Sequence, residues 1–225
     1  MKFKMLVFIL STLIMISGSV FAIFGPPPPT PNQTQNQTQN QTQNQTSSMG
    51  LQCGNLTTIV DRITCRINLP SENELNYIPE ECRTLAGLDL ANCLNVYNAT
   101  EPCFSSSDDG QRIACARAAI GLQVATIQQQ ISACSGNQTC INDTREKVFE
   151  LVKFRFYNLE EKAQEIFRTY PSTESLVANF IVGMEQKKID FNNAQTIDEK
   201  KLIVNETITT WAQFVDQVKT QVGAK

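Results

Sequence analysis

The chain of 225 residues contains no histidine. Ser-His and Cys-His nucleophile pairs are therefore excluded, along with the side chain that most often titrates near neutral pH. There is no Cys-x-x-Cys knuckle for structural zinc, and neither a GxGxxG nor a GxxxxGK loop to cradle phosphate. No metal or cofactor site is expected on these grounds. Positive charge is also scarce, with 19 Lys and Arg against 22 Asp and Glu and a net charge of −3. An acidic chain is a poor ligand for nucleic acid or anionic lipid. Two-residue alternation and hairpin turns are missing, so strands are not expected.

What is present begins with "MKFKMLVFILSTLIMISGSVFAIF", in which Lys2 and Lys4 precede an apolar run and Val20-Phe21-Ala22 supplies a small-residue cleavage site. Residues 1–22 read as a secretory signal. The alternative is an uncleaved anchor over 5–24, since 20 uncharged residues span roughly 30 Å of hydrocarbon as a helix. Both readings place the rest of the chain outside the cytoplasm, secreted or tethered on the outer face of the membrane. Loss of Lys2 and Lys4 leaves 17 positive against 22 negative residues, a net of −5.

Residues 23–49 follow as a stalk. Pro26–Pro29 and Pro31 start it in polyproline II, and four tandem Asn-Gln-Thr tripeptides place acceptor asparagines at Asn32, Asn36, Asn40 and Asn44. Such a segment lacks the apolar side chains to offset ordering entropy and is expected to stay extended and disordered. Five further sequons lie at Asn55, Asn98, Asn137, Asn142 and Asn205. Nine sequons behind a secretory signal point to N-glycosylation. The competing reading of the stalk is a polar low-complexity tract whose threonines only complete the repeat.

Eight cysteines, at 53, 65, 82, 93, 103, 115, 134 and 140, are an even set in an oxidising compartment and are expected to form disulfides. A helix predicted from Cys53 to Ile67 would hold Cys53 and Cys65 about 18 Å apart, too far to bridge. An antiparallel hairpin with rungs Cys53–Cys93 and Cys65–Cys82 would satisfy the loop direction, although Cys53 and Cys65 lie about 120° apart on a helical wheel, and it is one of many pairings that eight cysteines allow. Shorter loops would close Cys103 on Cys115 and Cys134 on Cys140. The segments "DRITC" and "GQRIAC" end two C-x11-C spacings, an internal echo consistent with duplication or with coincidence.

After the stalk the apolar pattern is helical. Residues 50–108 read as a Cys-rich helical subdomain, with capping signals at Ser71 and Glu74 and a short helix near Pro79. Residues 109–225 read as an antiparallel up-and-down four-helix bundle, packed with 50–108 as one body. Its first helix carries Ile113, Ile120, Val124, Ile127 and Ile131 behind an Asp108/Gln111 capping box. The second carries Val148, Val152, Phe156, Leu159, Ala163 and Ile166 and stops at Pro171. The third begins at Ser172. The fourth opens on a Thr196/Glu199 capping box and carries Val204, Trp211, Val215 and Val218.

Candidate chemistry is thin. The carboxylate pairs Glu80/Glu81, Asp108/Asp109 and Glu160/Glu161 suit acid–base work by residue type, but neighbours on a helix point about 100° apart, so solvated or capping roles are expected. "FSSSDDGQR" reads as a turn and helix cap, not a calcium or nucleophile loop. Trp211 sits on an inner stripe and is expected in the core, not on a sugar. The expected function is a non-enzymatic extracellular glycoprotein acting as a structural, adhesive or interaction module of the cell envelope, with a surface protein or glycan as partner. Two other classes stand beside it: a small-ligand or lipid carrier with a helical cavity, and a secreted carboxylate-based hydrolase with acids from different helices converging in a cleft.

Overall fold

A computed structural model of the chain describes residues 53–69, 78–122 and 126–223. The signal and stalk readings over 1–49, with Asn32, Asn36, Asn40 and Asn44, lie outside the described residues, as do the Ser71/Glu74 capping signal and Val124. The fold is all-α. Among the described residues there are seven α-helices and no strand: α1 Ile59–Ile67, α2 Gly87–Thr100, α3 Asp109–Ala119, α4 Ile127–Ala133, α5 Gln138–Thr169, α6 Glu174–Asn193 and α7 Ile197–Gln221. No helix among them is long and apolar enough to cross a membrane.

Local chemistry sets the longest helices. Asn137 caps α5 by accepting from the Cys140 backbone N–H at 3.1 Å, and the Tyr170-Pro171 junction ends it. Thr196 and Glu199 form a reciprocal box at the start of α7: the Thr196 hydroxyl accepts from Glu199 N at 3.2 Å, and Glu199 accepts from Thr196 N at 2.8 Å. Asp108 caps α3 through Gln111 N at 2.8 Å, but the Gln111 side chain accepts from Ser106 Oγ instead of closing the box.

The first bundle helix, expected to carry one stripe from Ile113 to Ile131, is broken into α3 and α4. Gly121 adopts φ +76°, and α3 ends with Gly121 N donating to Ala118 O and Leu122 N donating to Arg117 O. This reversal turns Leu122 into the core, and Thr126 with Gln129 opens α4 on a capping box of its own. Gly121→Ala is expected to cost about 1 kcal/mol through left-handed strain alone. A Cβ there would meet only Lys147, whose Nζ lies at an unstrained 3.6 Å, so a fall in urea midpoint reports the backbone.

The break changes which helices share a core. Ile63 and Ile67 of α1 pack with Leu159 and Ala163 of α5, Val177, Ile181 and Met184 of α6, and Trp211, Phe214 and Val218 of α7. The Cys-rich segment thus supplies a core helix beside α5, α6 and α7. The other half of α5, through Val148, Leu151 and Phe154, packs with Val96 and Tyr97 of α2, Ala116 of α3, Leu122 and Ile127. Trp211 is buried against Phe180 and Phe214, with ring centroids at 5.4 and 5.5 Å.

Four disulfides brace the bundle: Cys53–Cys65, Cys82–Cys93, Cys103–Cys115 and Cys134–Cys140, with Cα separations of 5.5, 5.7, 5.5 and 5.6 Å. The expected rungs Cys53–Cys93 and Cys65–Cys82 do not form. Their premise was a helix through Cys53, whereas α1 starts at Ile59 behind a Thr58 cap and the preceding turn folds Cys53 back onto Cys65. The same build recurs, because Cys65, Cys93 and Cys115 are each the seventh residue of their helix and each joins a cysteine in the turn before it. Arg62 and Arg112, the fourth residues of α1 and α3, both donate to carbonyls of that preceding turn: Arg62 to Leu56 O and Thr57 O at 2.8 and 2.9 Å, and Arg112 to Ser106 O. The Arg-Ile-x-Cys echo therefore corresponds to one repeated local architecture.

Candidate functional site: a buried charge cluster

Between α1, α5 and α6 lies a group of charged side chains sealed from solvent. Arg66 reaches Glu160 at 3.1 Å, Glu161 at 2.9 Å and Glu185 at 3.7 Å. Lys188 lies 2.9 Å from Glu160 and 3.0 Å from Glu185. The side chains of Arg66, Glu160, Glu185 and Lys188 are all 0% exposed. Gln164 completes the guanidinium shell with its amide oxygen turned inward, accepting from Arg66 Nε at 3.2 Å and Nη2 at 2.8 Å. The Lys188 ammonium makes close ion contacts but lies off the hydrogen-bond directions of its carboxylates.

The cluster extends into the Cys-rich segment. Glu80 N donates to Glu185 at 3.0 Å, and Arg62 grips the Glu80 carboxylate with both arms, at 2.7 and 2.6 Å. Such bidentate pairs are the strongest of the ordinary ion pairs. Glu81 accepts from the Tyr97 hydroxyl and from Asn192, with Lys153 at 3.7 Å. Lys188 also sits over the Tyr97 and Tyr157 rings, at 5.4 and 5.6 Å. Side chains from α1, the 3-10 turn Glu80–Cys82, α2, α5 and α6 are thus tied together through charge.

Counting groups in direct contact, four cations (Arg62, Arg66, Lys153, Lys188) face five carboxylates (Glu80, Glu81, Glu160, Glu161, Glu185). Burial, and after it the facing Glu185, push Glu160 up to about 7, against the pull of Lys188 and Arg66. Burial alone would lower Lys188, but Glu160, Glu185 and Glu81 outweigh it and hold the ammonium above its ordinary value. Burial and then Glu81 raise the Tyr97 phenol; burial and then Glu161 raise Tyr157, so both rings stay neutral.

These positions correct the expectation of solvated carboxylates. Glu160 is fully buried, and the Glu80, Glu81 and Glu161 side chains are 7%, 1% and 12% exposed. The pairs do not act as neighbours: each carboxylate finds partners on other elements, which spacing along one helix does not reveal. Asp108 is a cap, as its place before α3 implies, while Asp109 pairs with Lys162 of α5. Arg66, Glu185, Lys188, Tyr97 and Tyr157 were not singled out in the sequence. Their signal is charge on an apolar stripe: Arg66 beside Ile63 and Ile67, Glu160 four residues after Phe156, and Glu185 and Lys188 four and seven after Ile181.

Glu81, Cys82 and Cys93 bring ligand-type atoms within 4.8 Å of one another, but the two sulfurs are bonded to each other and are not thiolates. The outer surface is different in kind. Asn55, Asn98, Asn137, Asn142 and Asn205 are all exposed, and Asn205 lines a shallow concavity with Lys187, Glu206, Thr209 and Thr210. No known protein family, curated protein or solved structure matches this chain.

Proposed function

We propose that the protein is a non-enzymatic extracellular glycoprotein, a disulfide-braced helical head that serves as a structural, adhesive or interaction module at the cell surface. The observation that carries this reading is the placement of the sequons: every described acceptor asparagine is exposed on a body whose described cysteines are all in disulfides. Glycans there would leave the packed core undisturbed. The buried charge cluster supports a rigid scaffold, since it joins the Cys-rich segment to α5 and α6. A carboxylate hydrolase finds two acids from different helices converging at Glu160 and Glu185, but without the solvent access that a substrate needs. A carrier would need open apolar space where Trp211, Phe180 and Phe214 pack together.

The test is the intact mass of protein isolated from its native host, non-reduced, before and after N-glycan removal. The expected result is a chain beginning at Ile23, lacking eight hydrogens from its eight cysteines and losing several glycans on treatment. A chain with free thiols and no glycans would overturn the reading.

A further inference from the structure

The five described acceptor asparagines share exposure but differ in their threonines. Asn98-Ala99-Thr100 lies in α2, Asn142-Asp143-Thr144 in α5 and Asn205-Glu206-Thr207 in α7. Thr100, Thr144 and Thr207 are 1%, 2% and 3% exposed. Each hydroxyl donates to the carbonyl four residues earlier: Val96 O at 2.6 Å, Cys140 O at 2.9 Å and Ile203 O at 2.8 Å. Residues two apart on a helix project about 200° from one another, so an outward asparagine sends its threonine inward. At the other two sites the hydroxyl residue is exposed. Asn55-Leu56-Thr57 precedes α1 outside any helix, and Asn137 caps α5 in an extended conformation, followed by an exposed Thr139.

An acceptor defined by a hydroxyl residue two positions beyond the asparagine must be read through both side chains at once. A helix that turns one outward and buries the other withholds half of the signal. We propose that glycan transfer to Asn98, Asn142 and Asn205 precedes formation of α2, α5 and α7, and that the folded protein, among its described sites, accepts glycans only at Asn55 and Asn137. The proposal rests on the reading of this chain as a glycoprotein. The donor class is a lipid-pyrophosphate-linked oligosaccharide. The asparagine Nδ2 attacks the anomeric carbon; the N–C bond forms as the C–O bond breaks, the pyrophosphate leaves with the electron pair, and the amide gives up one proton.

The product is compatible with the fold, because transfer uses nitrogen and leaves the amide oxygen. Asn137 keeps its cap to Cys140 N, and the Asn142 oxygen keeps its contact with Gln138 at 3.0 Å. The order matters for the disulfides as well. Asn98 lies between Cys93 and Cys103, and Asn142 lies two residues beyond Cys140, so pairing of these cysteines draws both sites into their helices. Glycans found at the three helical sites in native protein would then mark a chain modified before it folded.

The experiment uses the full chain made without glycans, in two forms: folded with its disulfides, and reduced with its thiols alkylated so that they cannot pair. Both are given a purified oligosaccharyltransferase and a lipid-linked oligosaccharide, and occupancy of each site is read by peptide mass spectrometry. The alkylated chain is expected to accept at all five sites. The folded protein is expected to accept at Asn55 and Asn137, with occupancy at Asn98, Asn142 and Asn205 lower by about tenfold or more, because those sites react only through local opening. Equal occupancy of the three sites in the two forms would overturn the proposal, as would their silence in the alkylated chain. Native protein without glycans would sink the functional reading and leave this comparison intact, so the two failures are distinct.

Discussion

Lys188→Met is expected to destabilise the protein by about 3–5 kcal/mol, the cost of leaving buried charge without its partner. The ammonium is the nearest cation to both Glu160 and Glu185, at 2.9 and 3.0 Å, and all three side chains are sealed from solvent. Methionine fills the volume of the lysine stem, so little of the loss comes from packing. The double variant Lys188→Met/Glu185→Gln tests the cause. It removes one charge of each sign, and the glutamine oxygen would still accept from Glu80 N, as the Glu185 carboxylate does at 3.0 Å. The double variant is expected to recover at least about half of the single variant's loss, measured by urea unfolding followed through Trp211. A double variant as unstable as the single one would show that the lysine matters for shape instead of charge.

Stability is also expected to fall as pH rises from about 4.5 to about 7, contrary to the usual behaviour of paired carboxylates. The unfolded chain releases the Glu160 proton near the ordinary 4.5, whereas the folded chain holds it to about 7. Between these values the folded state binds a proton that the unfolded state lacks. The stabilisation is therefore fully present below 4.5 and lost as pH rises through 7, by up to about 3 kcal/mol. The charged or titratable groups that act on Glu160 come from four helices: Arg66 of α1, Tyr97 of α2, Tyr157 of α5, and Glu185 and Lys188 of α6.

The other shifts do not cancel this slope. Lys188 is raised, so its contribution is constant across the window and is lost only at strongly alkaline pH. Glu150, half-buried and raised by burial, acts in the same sense as Glu160. Glu199, held below its ordinary value by the Thr196 and Gln195 backbone N–H groups, acts oppositely, but its contribution disappears only as pH falls below about 4.5. Glu160→Gln, which copies the protonated form, is expected to flatten the profile between about pH 5 and 8. A wild-type urea midpoint that rose or held steady across that range would refute the assignment. In a chain with no histidine and no free thiol among its described residues, this carboxyl supplies a neutral-pH titration that composition denies it.

Much of the fold was legible because it is local. The stripes along α5, α6 and α7, the Thr196/Glu199 box and the stop at Pro171 depend on residues within a few positions of one another, and the structure places helices there. The break after α3 is equally local but disguised: a Gly-Leu pair followed by Thr126 and Gln129 is a stop and a start, while the isoleucine spacing on either side imitates one continuous stripe. The disulfides do not divide by loop length. Cys53–Cys65 and Cys82–Cys93 span 12 and 11 residues, as short as the 12 of Cys103–Cys115, but a helix expected to run on from Cys53 hid the turn before Ile59 that lets Cys53 reach Cys65.

By itself the sequence determined an all-helical body, an even set of clustered cysteines and an acidic chain rich in Asn-x-Thr tripeptides, since composition, helical period and capping chemistry act within a turn or two of chain. The tertiary structure alone decided that α1 joins α5, α6 and α7, and that Arg66, Glu160, Glu185 and Lys188 meet. Arg66 and Glu160 are 94 residues apart in the chain. A charge on an apolar stripe announces that it will be buried, but not which distant group will neutralise it, and the energy of a buried charge resides in that pairing.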